Sequence, residues 1–363
     1  MRYGLGVVAM SFVLASAVSG QTPRQGGSTC SSASRMAFSD GWNVCLRHDF
    51  DTAFGSDQRP DPDVWVINHP ESWWFVLGRT FFPSPVYHPE APFPRVEDGV
   101  CVIEHYLYNS YHLDTPKTTF LGGEIHTVME FDPGNSWRFE ARVRWEECPG
   151  GLVTSFFTYG YDDAHSDSDE IDFEFLSNEV FEPVPQVMTN TWDDSDQKPE
   201  QIPISELDMT QWNTFRIYWY PEPRVVWTWV EPGGTERVLR EETDSAYLPD
   251  EPMSVYFNFW APTSDWGKAY DPNLEPDQED NGVVWRYWID YVEVRVLGAD
   301  TDGDGVADAC DECPDTPPGA AVDARGCPTG CCGASGPVAP LGLAVGLLIL
   351  NRFAGYRSAR RRR

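Results

Sequence analysis

Apolar and polar residues alternate with a period of two along much of the middle of this chain, the pattern of half-buried β-strands. Clear examples are Val100-Cys101-Val102-Ile103-Glu104, the run from Trp137 to Trp145, Thr214 to Trp219, and Ser168 to Leu176. Clusters of Pro, Gly and Asp separate these runs and read as turns. No long segment repeats its apolar residues at helical spacing, so the pattern predicts an all-β chain folded as a two-sheet antiparallel sandwich. Residues 83–94 hold five prolines and are expected to form an irregular surface loop.

One strand carries candidate chemistry. In Ser168-Asp169-Glu170-Ile171-Asp172-Phe173-Glu174-Phe175-Leu176, alternation puts Glu170, Asp172 and Glu174 on one face. Ile171, Phe173 and Phe175 then point into a core. Like charges in a row repel, and sheets normally avoid them. Cleavage of a glycosidic bond with retention requires such a grouping: one carboxylate attacks the sugar and a second protonates the leaving oxygen. Glu170 and Glu174 start roughly 13 Å apart at Cα. Inward-leaning side chains bring their carboxyls toward the ~5–5.5 Å of a covalent mechanism. Asp172 between them hydrogen-bonds one neighbour and, as a like charge, favours a proton on the other. A solvated acidic strand or a calcium site are the plainer readings of the same residues.

The motif does not stand alone. Asp-Glu-Ile-Asp-Phe-Glu-Phe-Leu resembles the catalytic strand of glycoside hydrolase family 16, which includes lichenases, laminarinases and xyloglucan endotransglycosylases on a β-jelly-roll sandwich. Further segments resemble that family in the expected order. Gly122-Gly123-Glu124-Ile125-His126 is similar to a substrate-lining strand, with His126 where an arginine is usual. Gly151 to Tyr159 resembles the strand before the catalytic one, Met188-Thr189-Asn190-Thr191-Trp192 the adjoining strand, and Phe257-Asn258-Phe259-Trp260 an Asn-x-Trp segment. The resemblance implies Glu170 as nucleophile, Glu174 as general acid/base and Asp172 as their electrostatic partner. Substrate contacts would come from Glu124, His126, Tyr159, Asn190, Trp192, Asn258 and Trp260. Alternation supports the last pair: phenylalanines 257 and 259 face the core, leaving Asn258 and Trp260 for a groove where an amide and an aromatic face suit a pyranose. The trio lacks the extra residue that makes a bulge in laminarinase-like members. That resembles lichenases, which act on mixed-linkage β-1,3-1,4-glucan, and xyloglucan enzymes. Ser168 stands where lichenase-like members carry Trp, and Phe173 is closer to the xyloglucan enzymes.

Charge narrows the substrates. The 363 residues carry a formal net charge of −31, which opposes nucleic acid and polyanionic substrates by long-range repulsion. A neutral β-glucan is compatible, and 15 tryptophans suit a sugar-facing groove as well as a core.

The two ends read differently from the middle. Residues 1–20 combine Arg2, an apolar run and a small-residue end at Val18-Ser19-Gly20, the organisation of a secretory signal peptide. Residues 21–34 form a Gly/Ser/Thr/Gln-rich linker. Residues 35–298 hold the sandwich. Export makes the nine cysteines disulfide candidates: Cys30 with Cys45 and Cys101 with Cys148, with an odd one left in Cys331-Cys332. In residues 299–329, oxygen ligands alternate with glycines, a spacing suited to Ca²⁺. With its cysteines, the segment resembles a thrombospondin type 3 repeat. That resemblance implies Asp300, Asp302, Asp304, Asp308 and Asp311 as ligands, Cys313–Cys327 as a staple and a spacer role. Asp290 matches a second calcium position of some family 16 members. Calcium is thus expected to be structural, with no cofactor for catalysis. Residues 330–363 join Cys-Cys-Gly, an apolar run over 338–350 and an arginine cluster, and resemble the C-terminal sorting signals of Gram-negative bacteria. A transmembrane tail anchor is the alternative.

Two classes of function follow: an exported or surface-displayed retaining endo-β-glucanase, expected as a monomer, with a xyloglucan endotransglycosylase/hydrolase as its enzymatic variant; or a non-catalytic glycan-binding protein on the same fold. Clustered carboxylates under a neutral sugar favour the enzyme.

Overall fold

A computed structural model describes residues 41–112, 115–162, 167–317, 320–323 and 325–329. The expected signal peptide, linker and C-terminal tail lie outside the described residues. Two antiparallel-dominated sheets stack face to face, as the alternation requires. One is 11-stranded; its central path runs from Glu236–Glu242 through Arg224–Val230, Asn213–Tyr220, Ser136–Trp145 and Val284–Leu297 to Val100–Tyr106. The other is 8-stranded and carries the acidic strand Asp167–Leu176 between Val153–Asp162 and Gln186–Asp193. Val153–Asp162 pairs in turn with Ser254–Trp260, then Gly123–Thr127, then Trp65–Ile67. Among the described residues the only helices are the short Ser177–Val180 turn and the 3-10 turn Ser245–Tyr247.

The core lies between the sheets, where the alternation placed it. Ile171, Phe173, Phe175, Phe257 and Phe259 are fully buried there against Phe139, Ile217 and Trp227 of the opposite sheet. Phe173 packs on Phe215 with ring centroids 5.0 Å apart. Burying aromatic side chains of this size contributes about 1.5–3 kcal/mol each and fixes the register of every strand that supplies them.

Several expectations need correction. Residues 83–94 are irregular and exposed at Val86, Tyr87, Pro89 and Glu90, as expected of a surface loop, but both ends are anchored by the buried Pro83, Ser84, Ala91, Phe93 and Pro94. Cys45 pairs with Cys310, not Cys30. Cys101 and Cys148 are free thiols. Val284–Leu297 runs between the Cys101 strand and the strand that leads to Cys148, which keeps the two apart. Cys313–Cys327 forms as expected. A transmembrane segment is not supported: no helix of the described residues is long and apolar enough to cross a membrane.

Residues 299–329 are not a free spacer. Besides the Cys45–Cys310 bond, Ala307 is fully buried in the core cluster of the sandwich, and Cys310 packs against that cluster.

Candidate active site

Register decides which side chains meet. Glu174 lies opposite Met188 on one side and Ser155 on the other; Ser155 is opposite Asn258, and Asn258 opposite Glu124. One rung along, Asp172 lies between Asn190 and Phe157, followed by Tyr256 and His126. On the next, Glu170 lies between Trp192 and Tyr159. Paired residues share a face of the sheet, so these rungs form one continuous face. Trp260, paired with Val153, sits at its edge and stacks on Trp266 at 5.6 Å. All seven residues expected to contact substrate therefore share a surface with the acidic trio.

Glycine shapes that edge. Gly78 has φ +57°, and a Cβ there would lie 2.5 Å from the Ala261 carbonyl oxygen and 2.8 Å from the Trp260 ring. Only a residue without a side chain lets this turn approach Trp260 so closely.

The trio is electrostatically loaded. Asp172 is fully buried, and Glu170 and Glu174 are half-buried. Burial, reinforced by the charge of Glu170, pushes Glu174 well above the usual carboxylate range. Burial and the charges of both glutamates do the same to Asp172. Glu170 is raised by burial too, with the neighbouring Asp172 carboxyl working in the opposite direction. The closeness of the two carboxyls thus raises Asp172 and lowers Glu170, which favours Glu170 as the anion of the pair.

His69 was not legible in the sequence. It lies in the turn after Trp65–Ile67, with Nε2 3.1 Å from Glu124 Oε1. Glu124 Oε2 also accepts a hydrogen bond from Asn258 at 3.4 Å. Burial works against a charged imidazole, but the carboxylates of Glu124 and, at 3.8 Å, Glu71 outweigh it and bring His69 to about 9. His69 thereby supplies the cation expected of an arginine at His126. His126 stacks on Tyr256 at 4.4 Å and is held below the usual histidine range by burial. No spacing in the chain joins residue 69 to residue 124; only Asn68 hints at it, its Oδ1 accepting the Glu124 amide at 2.7 Å.

Among the expected metal ligands, Asp300, Asp302 and Asp304 converge, with carboxylate oxygens within 4.8 Å of one another. Asp304 Oδ2 is buried without a hydrogen-bond partner, as suits a cation site. Asp308 instead accepts hydrogen bonds from the backbone and hydroxyl of Thr301, both at 2.7 Å. Asp311 lies against Gly326, where any Cβ would strike its Oδ1. Asp290 stands apart from these and is ion-paired with Arg142.

With this geometry in hand, sequence and fold comparisons agree. Residues 99–292, more than half of the chain, match the profile of Glycosyl hydrolases family 16, and the chain belongs to that family. Among curated proteins it is 31% identical over 155 residues to xyloglucan endotransglucosylase/hydrolase protein 3 of Arabidopsis thaliana, covering 40% of this chain and 51% of that one. It is 26% identical over 151 residues to protein 2 of the same series, covering 38% and 49%. The chain spans about half the length of these two curated relatives. Its fold is similar to that of a prokaryotic β-1,3-1,4-glucanase (lichenase) from a mouse hindgut metagenome, with TM-score 0.50, 19% identity, and 69% and 97% coverage. It is likewise similar to Bacillus licheniformis β-glucanase, with TM-score 0.50, 16% identity, and 72% and 100% coverage.

Proposed function

We propose that this protein is a retaining endo-β-glucanase acting on a neutral β-glucan, with mixed-linkage 1,3-1,4-glucan as its preferred substrate. The observation that carries the reading is the rung register, which sets Glu170, Asp172 and Glu174 on one face of the sheet with aromatic and amide side chains around them. Glu170, the better anion, attacks the anomeric carbon while Glu174 donates its proton to the leaving oxygen. The bond between them breaks to give a glycosyl ester on Glu170 and a shortened chain. Glu174, now ionised, takes a proton from water, whose oxygen displaces Glu170 and restores the β configuration. Glu124, Asn190 and Asn258 suit sugar hydroxyls, and Tyr159, Trp192, His126 and Trp260 suit its C–H faces.

A second reading has its own support. The xyloglucan endotransglucosylase/hydrolase relatives and Phe173 favour a sugar acceptor in place of water. Export, a monomeric state and structural calcium at Asp300, Asp302 and Asp304 complete the reading; Asp308 and Asp311 would then shape the calcium loop, and processing of the tail would release or display the enzyme.

Two measurements test it. Reducing-sugar release from barley β-glucan, xyloglucan, laminarin and agarose, with and without oligosaccharide acceptors, should be highest on barley β-glucan. A 2-fluoro oligosaccharide with a good leaving group should label the peptide holding Glu170, and the first product should be the β anomer. Label on another carboxylate, or an α product, refutes the role of Glu170.

A further inference from the structure

The opposite side of the acidic strand carries a second cluster. Asp167 and Asp169 alternate with Glu170, so they point away from the groove, beyond Ile171 at the end of the core. Asp193 is the direct partner of Asp169 on the adjoining strand. One carboxylate oxygen from each of the three lies within 4.8 Å of the other two.

Proximity alone would mean little, but the bonding of Asp169 points to a ligand. Its side chain is wholly buried. Its Oδ2 accepts the backbone amides of Asp250 at 2.6 Å and Glu251 at 2.8 Å, which lock the carboxylate in place. Its Oδ1 is buried with no hydrogen-bond partner, as is Asp167 Oδ1. The neighbouring charges that bear most on the cluster, apart from its own members, are further carboxylates: Asp194, Asp196 and Asp250. A buried carboxylate oxygen without a donor is costly unless a proton or a cation meets it.

We propose that Asp167, Asp169 and Asp193 form a divalent-cation site of the hard, oxygen-only kind that takes Ca²⁺. Ca²⁺ accepts 6–8 oxygens at about 2.3–2.6 Å, so one ion fits among carboxylates this close, with water completing its shell. The ion joins the start of the acidic strand to the end of Gln186–Asp193. Asp169 immediately precedes Glu170, so the site would hold Glu170 in register from behind. It is separate from the cluster at Asp300, Asp302 and Asp304.

Calcium titration of the calcium-stripped full chain by calorimetry tests this without any substrate, so its outcome is independent of the enzymatic reading. A D300N/D302N/D304N variant should still bind one Ca²⁺ per chain, and adding Asp193→Asn should abolish that binding. Loss of all calcium binding in the triple variant with its near-UV circular dichroism intact, or binding that survives Asp193→Asn, overturns the proposal. If the triple variant does not fold, the single variant decides: D193N must bind one Ca²⁺ fewer than wild type, and equal stoichiometry overturns the site.

Discussion

The indole Nε1 of Trp227 donates a 2.8 Å hydrogen bond to the backbone carbonyl of Asp172, across the sandwich from one sheet to the other. The residue at the centre of the acidic trio is therefore braced from behind. Arg240 extends the brace: its guanidinium lies 4.6 Å from the Trp227 ring and donates at 3.0 Å to the carbonyl of Thr189 on the adjoining strand.

Trp227→Phe removes the donor and leaves buried acceptor capacity. A buried hydrogen-bonding group left unmade costs about 1–3 kcal/mol, and the lost ring adds a small cavity. The urea midpoint should fall accordingly. Because the carbonyl belongs to Asp172, kcat should drop more than KM changes. A variant with wild-type kcat would show that the brace serves stability alone.

The acidic trio should make stability and activity oppose each other. Glu174 and Asp172 are held above their ordinary values in the fold, so the native state keeps protons that the unfolded chain releases. Stability then falls as pH rises above the unfolded carboxylate range near ~4. Glu174→Gln removes that burden and should be more stable than wild type at pH 7, with the gain vanishing below about pH 4. The same variant should lose roughly 10²–10⁴ in rate on unactivated substrates and lack the basic limb of a bell-shaped kcat/KM profile. Urea midpoints against pH, beside the rate profile, check both; a destabilised Glu174→Gln at pH 7 contradicts the electrostatic account.

His69 predicts a further loss of stability with rising pH, on the alkaline side. Its folded value of about 9 lies above the ordinary 6.5. Its ion pair with Glu124 therefore stabilises fully below 6.5 and is lost as pH rises through about 9. His69→Gln should flatten the stability curve over that interval. It should also raise KM, since Glu124 loses the partner that orients it. An unchanged curve would mean that His69 is neutral in the fold.

The segment 299–329 should stabilise the sandwich without touching the chemistry. D300N/D302N/D304N should lower Tm and leave kcat/KM intact well below that temperature, because these residues lie outside the groove rungs. Cys310→Ser, which opens the link to Cys45, should cost about 2–4 kcal/mol. Retained Tm in both variants would return the segment to the role of a spacer.

The period-two pattern by itself determined the sandwich, the core phenylalanines and the face on which Glu170, Asp172 and Glu174 lie. Alternation is a local property, and one buried face makes it unambiguous. It also separated Asn258 and Trp260 from Phe257 and Phe259. Partnership between distant strands was decided only by the tertiary structure. His69 reaches Glu124, Trp227 reaches Asp172 and Cys45 reaches Cys310 through strand order, which no short-range spacing encodes. Cys101 and Cys148 fail to pair for the same reason: Val284–Leu297, far away in sequence, lies between their strands. Proton placement is likewise tertiary, since Glu174 and Asp172 are buried by side chains of neighbouring strands that pairing brings onto the trio's face.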